Sequence, residues 1–132
     1  MRLTTVALAM ILAACSGGNG TIVDSAAGEV AGADVQGAFV IGLDEWMVDS
    51  PIDTLPAGRY AFRVENSGTE THGLEIAGNG RDWKTGDLEP GSASELVVDL
   101  TPGTYELYCP EESRGQDHQN QGMKRKLVVR AS

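Results

Sequence analysis

From residue 55 to residue 105 the chain is cut at short intervals by turn-forming clusters: Pro56-Ala57-Gly58, Asn66-Ser67-Gly68, Gly78-Asn79-Gly80, Pro90-Gly91 and Pro102-Gly103. Proline fixes φ and cannot donate to a strand ladder, and glycine supplies the positive φ of tight turns, so each cluster ends one extended segment and starts another. Between the clusters apolar residues recur at every second position, the repeat that sends alternate side chains to opposite faces of a strand. Tyr60, Phe62 and Val64 alternate with Arg59, Arg63 and Glu65; Leu96, Val98 and Leu100 alternate with Glu95 and Asp99. The expectation is an all-β domain, a Greek-key β-sandwich or barrel of roughly seven or eight antiparallel strands, each with one wet face. The segments Leu55-Pro56-Ala57-Gly58-Arg59-Tyr60 and Leu100-Thr101-Pro102-Gly103-Thr104-Tyr105 share the form Leu-x-x-Gly-x-Tyr. That is the form of a corner at which a tyrosine hydroxyl ties back to nearby backbone.

The same parity aims chemically interesting side chains inward. His72 shares a face with Leu74 and Ile76, with Thr71 and Glu75 on the other; Cys109 is in phase with Tyr105 and Leu107, opposite Glu106. A lone inward cysteine would be a small hydrophobe. Here it is followed by His118 and then Met123, and the chain's two histidines both belong to the group. Two imidazoles, one thiolate and one weak thioether are the donors that hold a single copper ion in a trigonal His₂Cys plane with an axial methionine. The expected metal ligands are therefore His72, Cys109, His118 and Met123. Met47 has no comparable context.

The first residues fall outside any fold reasoning. Met1-Arg2 and the apolar run from Val6 to Ala14 have the form of an export signal, too short for a membrane span. Leu12-Ala13-Ala14-Cys15 resembles a bacterial lipobox, which implies cleavage before Cys15 and lipidation there. The competing reading is an ordinary cut near Ala14 that leaves Cys15 as a thiol. Residues 1–14 are thus read as a lipoprotein signal, 15–35 as lipidated cysteine and Gly/Ala-rich tether, and 36–132 as one small domain tethered outside the cytoplasm. With Cys15 consumed by lipid, Cys109 has no disulfide partner, and a free thiol in an oxidising compartment calls for an occupant such as a metal.

The formal charge is −9, and removing residues 1–14 takes away one arginine and no acid, which leaves −10. This argues against nucleic acid as a partner. Most of these carboxylates are read as solvation of an exported surface, and the functional reading is electrostatic steering of a basic partner.

Val64-Glu65-Asn66-Ser67-Gly68 leading to Thr71-His72-Gly73-Leu74, and Tyr105-Glu106-Leu107-Tyr108-Cys109-Pro110 leading through His118 and Gly122-Met123 to Lys126-Leu127-Val128-Val129, resemble the copper-binding segments of cupredoxins, the plastocyanin and azurin superfamily. The resemblance covers roughly residues 36–131. It implies one type 1 copper, the Gly73 N–H aimed at the Cys109 sulfur, and electron exit at the edge of His118; Asn66, as in an Asx turn, is expected to shape the turn ahead of His72. The gap between Cys109 and His118 is longer than in plastocyanin or azurin and is filled by polar residues 110–117. A similar offset occurs in copper nitrite reductases, whose catalytic copper needs further histidines that this chain lacks, and Tyr108 stands where such an enzyme would place one. No enzymatic activity is expected.

The resulting expectation is a monomeric, lipid-anchored type 1 copper protein that carries single electrons to or from a redox protein, such as a basic c-type cytochrome or another copper protein. The rival is a copper chaperone or scavenger that hands over the metal instead. If the acidic surface steers a basic partner, raising ionic strength slows transfer, measured by stopped-flow kinetics over a salt series.

Overall fold

The computed structural model describes residues 34–132; the expected signal, Cys15 and the tether up to residue 33 lie outside the described residues. In chain order the elements are β1 (Gly37–Asp44), β2 (Met47–Asp49), β3 (Thr54–Pro56), β4 (Gly58–Asn66), β5 (Glu75–Gly78), β6 (Arg81–Lys84), β7 (Ala93–Leu100), β8 (Gly103–Tyr108), β9 (Glu112–Ser113), β10 (Gln116–Asp117), α1 (His118–Gln121) and β11 (Lys124–Arg130). One sheet has the order β2-β1-β4-β7, the other β3-β11-β8-β5-β6, and β9 with β10 forms a separate two-stranded ribbon. The chain passes from one sheet to the other between β4 and β5, back between β6 and β7, and again between β7 and β8, as in a Greek-key sandwich.

The β-sandwich expected from the alternation is therefore present, with two differences. β1 pairs with β4, and β3 with β11, in parallel, so the sheets are mixed. The described residues also hold more strands than expected, because β2 and β3 are only three residues long, too short to display a period. The ribbon is polar, and its turn, Arg114-Gly115 with φ of 53° and 73°, belongs to the hairpin class that needs two successive left-handed residues. Asn79-Gly80, with φ of 52° and 71°, closes β5 onto β6 in the same manner.

The inward faces meet in a core to which β1 contributes Ile41 and Leu43, β4 contributes Phe62 and Val64, and the opposite sheet contributes Ile76, Tyr105, Leu107 and Leu127. Each is at most 1% exposed. Burial on this scale contributes about 1.5–3 kcal/mol per large apolar side chain. Parity holds at both candidate ligand strands: His72, Leu74 and Ile76 are buried, as are Tyr105, Leu107 and Cys109, while Glu106 is exposed. Glu75 takes the other face, as expected, yet is not wet. It lies in register with Lys84 and Tyr108, and its carboxylate meets the Lys84 ammonium at 3.2 Å. Burial, and then the hydrogen bond that the phenol donates to Glu75, push the Tyr108 pKa up to about 12.

Both tyrosine corners form. Tyr60 Oη donates to the Pro56 carbonyl at 2.9 Å, and Tyr105 Oη donates to the Thr101 carbonyl at 3.0 Å while accepting the Thr101 N–H at 3.1 Å and the Asn79 amide at 3.1 Å. These bonds fix the bends that swing β4 and β8 into opposite sheets. Tyr105→Phe leaves the Thr101 N–H and C=O without this partner, so it destabilises the domain by about 1–3 kcal/mol. Urea denaturation checks this loss, and metal uptake by the folded variant is unchanged.

Candidate metal centre

Short loops at one end of the sandwich carry the candidate ligands. His72 sits ahead of β5 and is tied by two backbone hydrogen bonds to Leu88, its N–H donating at 3.1 Å and its carbonyl accepting at 2.7 Å. Cys109 directly follows β8, His118 opens the short helix α1, and Met123 immediately precedes β11. The Cys109 N–H donates to the Met123 carbonyl at 3.0 Å, and the Met123 N–H donates to the His118 carbonyl at 3.1 Å. Asp117 caps α1 by accepting the Asn120 N–H at 3.1 Å. Three expected ligands are thus laced together by backbone bonds within one loop, and the fourth reaches them from the segment ahead of β5.

His72, Cys109 and His118 come together as a group, each with no exposed surface; Met123 is equally buried. The two Nδ1 atoms are 3.2 Å apart, and Cys109 Sγ lies 3.9 Å from His72 Nδ1 and 3.6 Å from His118 Nδ1. A first-row metal bonded at ~2.0 Å to nitrogen and ~2.3 Å to sulfur in a trigonal plane has edges of about 3.5 Å and about 3.7 Å. The triangle of donor atoms already has that size.

The far side of each ring is anchored. His72 Nε2 lies 3.0 Å from Glu45 Oε1, and His118 Nε2 lies 2.8 Å from Ser113 Oγ. Glu45 Oε1 also accepts the Thr69 and Glu70 N–H groups at 2.7 and 2.8 Å. Burial works to raise the Glu45 pKa, but these bonds outweigh it and hold the carboxyl at about 2. An ionised carboxylate can only accept, so His72 Nε2 carries a proton and Nδ1 is the nitrogen turned toward the other donors. Burial, followed by the proximity of His72, lowers the His118 pKa and keeps that ring neutral, the form that binds a metal.

Around the sulfur, burial pushes the Cys109 thiol up while the backbone N–H groups of Gly73 and Glu111 pull it down. Gly73 N–H donates to Sγ at 3.4 Å, as the resemblance implied. Gly73 must be glycine for close approach, since a Cβ there would stand 2.8 Å from the Gly86 carbonyl oxygen. A Cβ on Gly68 would meet Glu45 Oε1 at 2.4 Å and His72 Nε2 at 2.9 Å. Asn66, 2% exposed, does shape the turn: its Oδ1 accepts the Gly68 N–H at 2.9 Å, while its Nδ2 donates to the carbonyls of Glu70 and Leu88 at 2.8 and 2.7 Å.

One expectation is corrected. The edge of His118 is not at the surface, because the ribbon folds residues 112–117 over it, Ser113 binds its outer nitrogen, and the Trp46 ring packs edge-on at 4.9 Å between centroids. The polar loop is a cover, with Arg114 at its tip 3.3 Å from Glu70. Glu45, Trp46 and Ser113 were not singled out from the sequence, and Gly68 only as part of a turn. Glu45 and Trp46 form the two-residue tip joining β1 to β2, and no local pattern links them to histidines 27 and 72 residues away.

No protein-family model matches the chain, and no curated protein matches it in sequence. Solved structures do match in fold. Sodium-dithionite-reduced auracyanin from the photosynthetic bacterium Roseiflexus castenholzii aligns at 19% identity with a TM-score of 0.60, covering 70% of this chain and 96% of that one. Auracyanin B aligns at 16% identity with a TM-score of 0.59 over 73% and 90% of the two chains. A point mutant of amicyanin in its Cu(I) form aligns at 16% identity with a TM-score of 0.50 over 70% and 82%. The described domain has the cupredoxin fold, and its buried His72, Cys109 and His118, with Met123 beside them in the chain, fit one type 1 copper.

Because Glu45 titrates near 2 in the fold against 4.5 when unfolded, its contribution to stability is complete above about pH 4.5 and disappears as the pH falls through about 2. Urea midpoints of the metal-free protein should therefore fall across that window. Glu45→Gln removes on the order of 2–3 kcal/mol of that dependence, measured as the difference between pH 5 and pH 2.

Proposed function

We propose that this cupredoxin-fold chain is a one-electron carrier that works outside the cytoplasm on a single type 1 copper, tethered to a bacterial membrane through lipid on Cys15. The observation that carries the reading is the triangle of buried donors, with His72 Nδ1, His118 Nδ1 and Cys109 Sγ all within 4 Å of one another. Cys109 supplies the thiolate, His72 and His118 the imidazole nitrogens, and Met123 the axial thioether. When bound, copper supplies a reversible one-electron couple.

The chain's own residues do the rest. Glu45 and Ser113 fix the rotation of the two rings, so neither imidazole is free to reorient when the charge of the site changes. Gly73 N–H stabilises negative charge on sulfur. The ribbon and Trp46 keep water out, and the absence of exposed surface on all four residues supports a site that changes charge without changing ligands. Copper handover, the rival reading, needs a donor that an incoming ligand can reach. Burial of all four therefore favours electron transfer over metal transfer. The partner is proposed to be a basic redox protein, a c-type cytochrome or another copper protein, met by a monomer.

The visible spectrum and voltammogram of the copper-loaded domain, residues 34–132, test the reading. Intense thiolate-to-copper absorption with a reversible one-electron wave is expected, and a colourless Cu(II) form or ready release of Cu(I) to an acceptor protein would replace it with the chaperone reading. Cys109→Ser abolishes the colour and strongly weakens copper binding. Met123→Leu keeps the colour and raises the reduction potential, and an unchanged potential would remove Met123 from the axial position.

A further inference from the structure

With His118 buried, an electron needs another way to the surface. Ser113 and Glu45 touch the histidines through single hydrogen bonds, and Trp46 through a conjugated ring. Tunnelling falls steeply with distance, so a group that both touches a ligand and reaches solvent can carry the route. Trp46 meets this condition: its ring is 4.9 Å from His118 and 6.4 Å from His72 between centroids, and it is only partly buried. Its carbonyl oxygen packs beside Gly122, where an added Cβ would stand 3.0 Å away, so the hairpin tip is seated on the turn between His118 and Met123. Next in the chain, Met47 is 52% exposed, the larger of the two exposures among the exposed large apolar side chains described. Asp44 and Asp49, both exposed, flank it on β1 and β2.

We propose that the β1–β2 tip is the port of electron transfer, with Trp46 coupling His118 to the surface and Met47, between Asp44 and Asp49, as the contact for a redox partner whose cofactor edge has a cationic rim. The inference rests on the electron-carrier reading. In the outward step one electron leaves the site, Cu(I) becomes Cu(II), and the acceptor is reduced by one electron with no bond made or broken and no proton moved. The charge around the port selects the partner's sign. Opposite charge is carried by Lys124, Arg125 and Lys126 of β11, all exposed. A partner drawn to those residues would be anionic, so the two contacts make opposite predictions.

The test uses two small oxidants of opposite charge, cationic tris(phenanthroline)cobalt(III) and anionic ferricyanide, on the copper-loaded, reduced domain at low ionic strength, with rates corrected for driving force. Met47→Lys is expected to slow the cobalt complex at least fivefold and to speed ferricyanide. Val40→Lys, at an exposed apolar position on β1, leaves both rates unchanged. Trp46→Leu slows both oxidants at least tenfold with the thiolate band in place, and Trp46→Phe recovers part of the loss. Equal rates for Met47→Lys, Val40→Lys and the parent overturn the port, as does a Trp46→Leu protein that keeps its colour and its rates. A parent protein that takes up copper without colour or a reversible wave defeats the carrier reading itself, whereas normal colour and voltammetry with unaffected variants defeats the port alone.

Discussion

Holding two imidazole nitrogens and a sulfur against one another, out of reach of water, is the demand that organises this end of the molecule. His72 Nδ1 cannot turn away, because Glu45 is an obligate acceptor on the opposite side of the ring and is itself pinned by two backbone N–H groups. The inward Nδ1 faces a second imidazole, whose pKa burial lowers, and a thiol whose ionisation burial opposes. Donor atoms so arranged find their complement in a cation, and binding one removes the thiol proton that burial otherwise retains. Carboxylates at Glu45, Glu70 and Asp117 all bear on His118 with the sign that favours positive charge nearby.

The scaffold meets this demand by distributing the anchors. Backbone bonds within residues 109–123 set the spacing of Cys109, His118 and Met123, and the bridge to Leu88 with the Asn66 bonds sets His72. The two arms would still be independent were it not for the β1–β2 tip, whose two residues each hold one histidine, Glu45 by a hydrogen bond and Trp46 by ring contact. β1 is central in its sheet, paired to both β2 and β4, so the tip inherits the rigidity of the sandwich. Constraint from opposite directions suits a centre that must keep its shape through a change of charge.

Likeness to auracyanin at no more than 19% identity has a physical reading. A sandwich requires alternation, turn chemistry and a filled core, and many residue choices satisfy all three. In this chain the ribbon over residues 112–117 buries His118 under Ser113, with the partly exposed Trp46 ring packed against it.

The sequence by itself determined the β class, the inward parity of His72 and Cys109, the two tyrosine corners, the Asn66 turn and the grouping of donor types, because each depends on residues a few positions apart, where strand geometry and turn preferences act. Only the tertiary structure decided that β1 and β4, and β3 and β11, run parallel, that Glu75 is buried beneath Lys84 and Tyr108, and that the polar loop after Cys109 folds back as a cover. It also decided the roles of Glu45 and Trp46. Their partners lie in other loops, and which loops meet at the end of a sandwich is fixed by how the sheets pack, a property carried by no local stretch of the chain.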